Sequence, residues 1–452
     1  MKSFFVCILM TTCLSRMVLA DNLNQVLAYS YKNNLTLSAE RTGQKITDEE
    51  VSKAKSGYRP QIYAEGSVGR SHDKLEYQNS AIQAGTKYNQ NPTSVQINLT
   101  QPLFSGLSTY HSVRAAKDKV RAGRHSLISA EQSVLLDTVS VYMNVIRDKA
   151  VLELQENQEK VLKRHLDSYR KRFKAGELTR TDVAQSEARA SGATAKRIGA
   201  EGDLKRSEAL FYSVVGAEPK SLEDVKEVAL NLPKTIDEAM DLAMNHNPQI
   251  LAARYAQQSA KYTVKAQKGA LSPSVNLGAS VGRMEESTSV DRNDYWKVSA
   301  NLTVPLYQSG TEYANVRQAK LTENKYRILW NKTIQDVHAE VISTWENYMA
   351  SKAQVDSIKA QIKASKLALD GVIREARVGS RTVLDVLDAE QEHLDNQVAL
   401  VRVHHNEIVS AFSLMSTIGR MNPESLGLDV PAYDPQEYYD MVKNKWVGFG
   451  IE

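Results

Sequence analysis

The chain repeats itself, and that duplication limits its possible folds more than any other feature. Tyr110-His111-Ser112-Val113-Arg114-Ala115-Ala116-Lys117 recurs 203 residues later as Tyr313-Ala314-Asn315-Val316-Arg317-Gln318-Ala319-Lys320. The same offset carries Pro102-Leu103-Phe104 onto Pro305-Leu306-Tyr307 and Gly176 onto Gly379. It also carries Asp182-Val183 onto Asp385-Val386 and Val215-Gly216 onto Ile418-Gly419. Upstream of the Pro-Leu-aromatic triplets the offset becomes 213, placing Asn34 on Asn247 and Pro60 on Pro273. A longer insert between Pro60 and Pro102 absorbs the difference.

Within each copy the order reads helix, two strands, very long helix, glycine-containing turn, shorter helix. Apolar residues fall seven apart at Val113, Val120, Leu127, Val134 and Val141, and again from Ile334 through Val341, Tyr348, Val355 and Ile362 to Leu369. Such sustained heptads predict coiled-coil packing. From Thr109 to Lys174 there is no proline and one glycine, Gly123, so a helix there would run about 99 Å. The segments 22–57 and 181–215, placed end to end, match that length and predict short helices packed alongside each long one. Helices alone would equally suit a soluble coiled-coil rod.

Four strands argue against the rod. Segments 61–68, 94–100, 274–281 and 297–304 alternate apolar with polar over about 8–10 residues each, near the 9–11 a tilted strand needs to cross a bilayer. Val95, Ile97, Leu99, Val298, Ala300 and Leu302 are expected toward lipid, with Gln96, Asn98, Ser299 and Asn301 toward a lumen. Tyr63, Phe104, Tyr295, Trp296 and Tyr307 lie near strand ends, where an aromatic girdle would sit. Four strands cannot close a barrel, and hydrocarbon does not tolerate open edges. Closure therefore requires a dimer of eight strands or a trimer of twelve.

The N-terminus is consistent with export. Lys2, the apolar run Phe4 to Leu14 and Val18-Leu19-Ala20 predict a signal peptide over 1–20, which holds both cysteines, Cys7 and Cys13. A mature chain without thiols has no disulfides and no cysteine chemistry. With 57 Lys and Arg against 53 Asp and Glu, and no concentrated basic face, nucleic acid is not an expected partner. No catalytic set, cofactor motif or metal-ligand spacing emerges; His404-His405 cannot chelate together, because adjacent helical residues point about 100° apart. No enzyme activity and no cofactor are expected.

Two turn motifs are the most specific signals. They are Arg172-Phe173-Lys174-Ala175-Gly176 through Asp182-Val183, and Ala376-Arg377-Val378-Gly379 through Asp385-Val386-Leu387-Asp388-Ala389. With the strand exits Phe104-Ser105-Gly106 and Tyr307-Gln308-Ser309-Gly310, they resemble the TolC family of outer-membrane efflux and secretion channels over about residues 22–426. The fold class implied is an α+β membrane protein of two tandem strand-strand-long-helix repeats. As a homotrimer it would form a 12-stranded β-barrel in the outer membrane, continuing into an α-helical coiled-coil tunnel in the periplasm.

The expected organisation is a first repeat over 21–220, with strands about 61–70 and 94–101, a long helix about 109–174 and a short one about 181–215. A second spans 221–422, with strands about 274–283 and 296–304, a long helix about 312–377 and a short one about 382–418. A peripheral tail takes 423–452. Gly176 and Gly379 are read as helix C-caps requiring positive φ. Asp385 and Asp388, three apart on one helix face, would become acidic entrance rings under threefold symmetry.

The resemblance further implies a closed-state link from Arg381 to Thr181-Asp182, with Ala376 replacing a tyrosine that shares this task elsewhere in the family. It implies a passive exit duct for a tripartite efflux pump or type I secretion system. The partners would be a periplasmic adaptor (membrane fusion protein), an inner-membrane ABC, RND or MFS transporter, and outer-membrane lipid. The alternative is a periplasmic coiled-coil structural or adaptor protein without a pore.

Overall fold

The computed structural model describes residues 22–75, 86–225, 230–286 and 291–451. The predicted signal peptide over 1–20 lies outside these. The duplication is plain in the element boundaries. Helices α1 (Leu23–Asn33) and α2 (Leu35–Lys55) are matched in the second copy by α5 (Ile236–His246) and α6 (Pro248–Gly269). The long helices α3 (Ser108–Lys174) and α7 (Thr311–Arg377) have 67 residues each. The shorter α4 (Arg180–Val215) and α8 (Val383–Thr417) follow them, and α9 (Pro435–Val442) comes last. The heptad residues Val113, Val120, Leu127, Val134 and Val141 are all buried.

Segment 22–57 is not one helix. Asn34 leaves the helical region (φ −64°, ψ 127°), and its amide donates to the Val214 carbonyl near the end of α4 at 2.7 Å. Asn247 breaks the second copy in the same way, donating to Thr417 O at 2.9 Å, with Pro248 opening the next helix. Both asparagines are buried, so each hydrogen bond repays a polar group that would otherwise be stranded. Asn-Pro at 247–248 is the sequence signal for this break.

The chain divides into two compact units. One comprises Arg41–Ser126, Gln249–Thr333 and Asp434–Glu452, and it holds the sheets. Strands β1 (Gln61–Val68), β4 (Thr93–Ser105), β5 (Ser274–Glu286) and β6 (Asp291–Thr303) form one antiparallel sheet in the order β1-β4-β5-β6. Strands β5 and β6 run 13 residues each, longer than expected, because their pairing continues through polar rows such as Arg283–Asp294. The insert between Pro60 and Pro102 contains a further hairpin, β2 (Ser71–Leu75) with β3 (Thr86–Gln90), which sequence reading missed.

Register sorts the large sheet into two faces. Ile62–Leu99–Ala279–Val298 and Ala64–Ile97–Val281–Trp296 are cross-strand apolar rows, most of them exposed. The opposite face is polar and hydrogen-bonded: Gln96 donates to Glu65 at 2.7 Å, and the Tyr295 hydroxyl donates to Gln96 Oε1 at 2.7 Å. Tyr63, paired with Asn98, and Tyr295 stand on this polar side. They therefore stand apart from the apolar rows, because the two-residue side-chain period places them opposite Ile62 and Trp296.

The same unit includes α9, and this part of the C-terminal stretch packs into the unit rather than lying wholly at its periphery. Tyr438 and Val442 are buried; the Tyr438 hydroxyl donates to Glu49 at 3.0 Å, and Arg124 donates to Gln436 Oε1 at 2.5 Å. Asp434 caps α9 and Pro435 opens it, signals visible in the sequence.

The other unit comprises Met1–Glu40, Leu127–Pro248 and Ile334–Tyr433. Its core gathers Leu27, Leu37, Leu135, Tyr142, Phe211, Phe412, Met415 and Met421, with Leu428 from the C-terminal stretch. A second cluster joins Leu162, Leu166 and Tyr169 of α3 to Ala190 and Ala193 of α4 and to Val383 and Leu387 of α8. That smaller cluster positions the glycine turns.

Candidate functional site

Each long helix ends in the same backbone device. Gly176 (φ +80°) and Gly379 (φ +82°) occupy the left-handed region that glycine enters without strain. Around Gly176, its own N–H reaches Phe173 O and the Glu177 N–H reaches Arg172 O, both at 3.0 Å. Around Gly379, the N–H groups of Gly379 and Ser380 reach Ala376 O and Glu375 O at 3.3 and 3.0 Å. These paired bonds form a Schellman motif and satisfy the last carbonyls of each helix.

Each short helix then begins with a capping box. Thr179 Oγ1 accepts from Asp182 N at 3.2 Å, while Asp182 Oδ2 accepts from Thr179 N at 2.9 Å and from Thr179 Oγ1 at 2.7 Å. Thr382 and Asp385 repeat this at 3.2, 2.8 and 2.8 Å. Asp182 and Asp385 are thus one residue seen twice, each a third-position cap. The spacing Thr-x-x-Asp ahead of an apolar run was the signal, and sequence reading missed it. The Asp385 carboxyl is held below its usual range by the backbone and side-chain hydrogen bonds from Thr382, with Arg381 nearby.

An arginine–glutamate pair braces each turn, with its polarity reversed between copies. In the first, Arg172 on the helix donates to Glu177 in the turn at 2.9 Å. In the second, Glu375 on the helix accepts from Arg381 beyond the turn at 3.0 Å. Arg381 and Asp182 are therefore engaged with other partners within one chain: Arg381 with Glu375, and Asp182 with its own cap. Thr181 lies beside it in the first turn of α4. Asp388, one turn past the second cap, accepts from Arg189 of α4 at 2.5 Å.

Behind these tips lies a buried polar layer. The buried Glu159 accepts from Lys163 and Arg197 at 2.8 Å each and from Thr194 Oγ1 at 2.6 Å. The hydrogen bonds from Lys163 and Thr194 lower its pKa to about 2. His165 of α3 meets the buried Glu390 of α8 at 2.9 Å. The arrangement suits a mechanical element, with helix ends stopped, restarted and tied to one another. Its charged groups pair with one another across the helices: Glu159 with Lys163 and Arg197, and Glu390 with His165.

Comparison with known proteins agrees with this picture. Residues 27–217 and 239–420 match the family described as outer membrane efflux protein, so each match spans one copy of the repeat. The chain is 36% identical over 440 residues to the outer membrane efflux protein BepC of Brucella suis, covering 97% of this chain and 94% of the relative. It is 24% identical over 428 residues to outer membrane protein TolC of Escherichia coli, covering 90% and 84% respectively. The fold is similar to that of the Campylobacter jejuni CmeC outer membrane channel, with a TM-score of 0.79 at 18% identity, covering 93% of this chain and 89% of that one. The duplicated helix-turn tips, the two-faced sheet and these matches place the chain in the outer membrane efflux protein family, the TolC family of outer-membrane exit ducts with a periplasmic tunnel.

Proposed function

We propose that three copies of this chain close their sheets edge to edge into a twelve-stranded barrel, which opens into a helical duct for cargo leaving the cell. The observation that carries this reading is the sheet order β1-β4-β5-β6, whose outer strands β1 and β6 each pair on one side within the chain. Exposed apolar rows on one face fit lipid, and open strand edges are not tolerated there. Partnering β1 of one copy with β6 of the next removes every edge. The hydrogen-bonded polar face then lines the lumen.

The duct is passive. An inner-membrane transporter of the ABC, RND or MFS type supplies the energy, and a periplasmic adaptor packs its helices on the turn tips around Gly176 and Gly379. The assembly serves as a tripartite efflux pump or a type I secretion system. At the tips, Arg381 of one copy reaches Thr181-Asp182 of its neighbour in the closed state, and Asp385 and Asp388 form acidic rings at the entrance. Opening frees Arg381 to return to Glu375.

The test uses the full chain purified in detergent and inserted in planar bilayers. Native mass measurement should give three protomers, and insertion should give single channels of one conductance class. A conducting monomer, or a trimer that never inserts, overturns the proposal; the second result would favour the pore-less periplasmic protein.

A further inference from the structure

The last residues of the chain combine features that the duct does not explain. Beyond α9, Trp446, Val447, Phe449 and Ile451 are all exposed, Val447 at 86% and Phe449 completely. Four apolar side chains in six residues are an unusual thing to show to water. The segment is nevertheless held in place. Ser52 Oγ donates to Lys445 O at 3.1 Å, Lys55 Nζ donates to Asn444 Oδ1 at 2.6 Å, and the Arg59 guanidinium lies 5.0 Å from the Trp446 ring centre.

Those anchors fix its height. Arg59 stands two residues before β1, so Trp446 sits at the helix-side end of the sheet. The chain beside its Arg59 anchor is tied to the apolar face. Gln101 shares the row of Leu277 and Ala300 on that face, and its amide donates to Tyr58 O, next to Arg59, at 3.0 Å. Phe104, Leu306 and Tyr307 are exposed at the same end of the strands. The tail therefore continues the apolar band rather than standing apart from it.

Charge points the same way. Burial lowers the Lys55 pKa, and the neighbouring cations Lys117, Lys443 and Arg59 lower it further, so four basic groups gather beside the tail. Asp440, paired with Lys443 at 2.6 Å, offsets one of them. The groove formed by Arg114, Lys117, Arg121, Lys261 and Lys265 with Asp118, about 510 Å³, extends the basic surface over α3 and α6. An aromatic-apolar strip bordered by cations is the chemistry of a bilayer interface with anionic head groups.

We propose that residues 444–451 form an interfacial anchor. In it Trp446, Val447, Phe449 and Ile451 enter the periplasmic leaflet, while Lys55, Arg59, Lys117 and Lys443 face anionic phospholipid head groups. The inference rests on the barrel reading. It ties the C-terminus to the membrane rather than leaving it beside the tunnel.

The test distinguishes the two readings through tryptophan emission. The full chain, Trp446→Phe and Trp296→Phe are each reconstituted into phosphatidylglycerol–phosphatidylcholine vesicles whose acyl chains are brominated near the head group. Trp296 reports on the sheet face, and Trp446 on the tail. The expected result is that Trp446→Phe loses part of the bromine quenching, and that the lost share is shielded from aqueous iodide. In pure phosphatidylcholine that share should shrink, and Lys117→Gln with Lys443→Gln should shrink it in the mixed vesicles. If Trp446→Phe changes nothing while Trp296→Phe does, the barrel reading stands and the anchor is overturned, the tail then standing in water or against another protein. If neither position is quenched, both readings fall.

Discussion

His165 Nε2 lies 2.9 Å from Glu390 Oε1, joining the long helix of the first copy to the short helix of the second. The hydrogen bond to Glu390 raises the imidazole pKa above its ordinary 6.5, against the opposing effect of burial. A raised folded value means that the contribution is complete below the unfolded value and fades as pH climbs through the folded one. Thermal unfolding followed by circular dichroism should therefore show His165→Ala costing more at pH 6 than at pH 8.5. Removing the imidazole leaves a buried carboxylate with one partner fewer, a loss of about 1–3 kcal/mol at the lower pH. An identical loss at both values would mean that the contact is packing and not charge.

Duplication predicts matched costs at the two caps. Thr179→Ala and Thr382→Ala should each destabilise by about 1 kcal/mol, the usual cost of a lost N-cap. Asp385 titrates low, so its share is present above the ordinary carboxylate value of 3.8 and disappears as pH falls through the lower folded one. Asp182→Ala and Asp385→Ala should thus lower stability at pH 7 as well as alter the channel. Conductance changes with fully native melting would place both carboxylates outside the capping role.

The pairing of Arg381 with Glu375 makes a test of the gate possible. If Arg381 alternates between Glu375 in its own chain and Thr181-Asp182 in the neighbour, Glu375→Gln should favour the closed state and lower mean conductance. Arg381→Ser should raise it, and Asp182→Ala should raise it less than additively when the two are combined, because they share one contact. Unchanged conductance in Arg381→Ser would put the lock elsewhere.

Strand faces can be tested at one row. Val298 belongs to the central apolar row with Leu99 and Ala279, whereas Ser299, paired with Gly278, points to the opposite side. Val298→Arg should cost about 2–4 kcal/mol in the membrane and impair assembly; Ser299→Arg should assemble and shift ion selectivity. Trimer yield on semi-native gels and reversal potentials are the two readouts. Equal yields would reverse the assignment of the faces.

Asn34 and Asn247 should behave alike under substitution. Each is buried and satisfies a carbonyl in the last turn of a short helix, Val214 O and Thr417 O respectively. Asn34→Ala and Asn247→Ala should each lower stability by about 1–3 kcal/mol, the cost of a stranded buried polar group. Measured in guanidinium, a large loss at one site with none at the other would show that the two copies no longer carry load in the same way.

Repeat offsets and periodicity already contain most of this architecture, because both depend on spacing along the chain. A constant offset of 203 needs no coordinates, and seven-residue spacing aligns Val113 through Val141 in one stripe, which the fold buries; of the corresponding second-copy positions it buries Val341 and Val355. Two-residue alternation likewise committed Ile97 and Val298 to one face of the sheet before any pairing was known. What depends on partners distant in sequence could not be read in this way. The break at Asn34 depends on a carbonyl at Val214, 180 residues on. The choice of Glu375 over Asp182 as the partner of Arg381 is a competition between nearly equal charges, and only distance decides it. The C-terminal stretch looked peripheral because eight helical residues carry little periodic signal. Tertiary packing buried Tyr438 and Val442 and tied Lys445 to Ser52, because the apolar and polar groups that receive them lie on helices from the start of the chain.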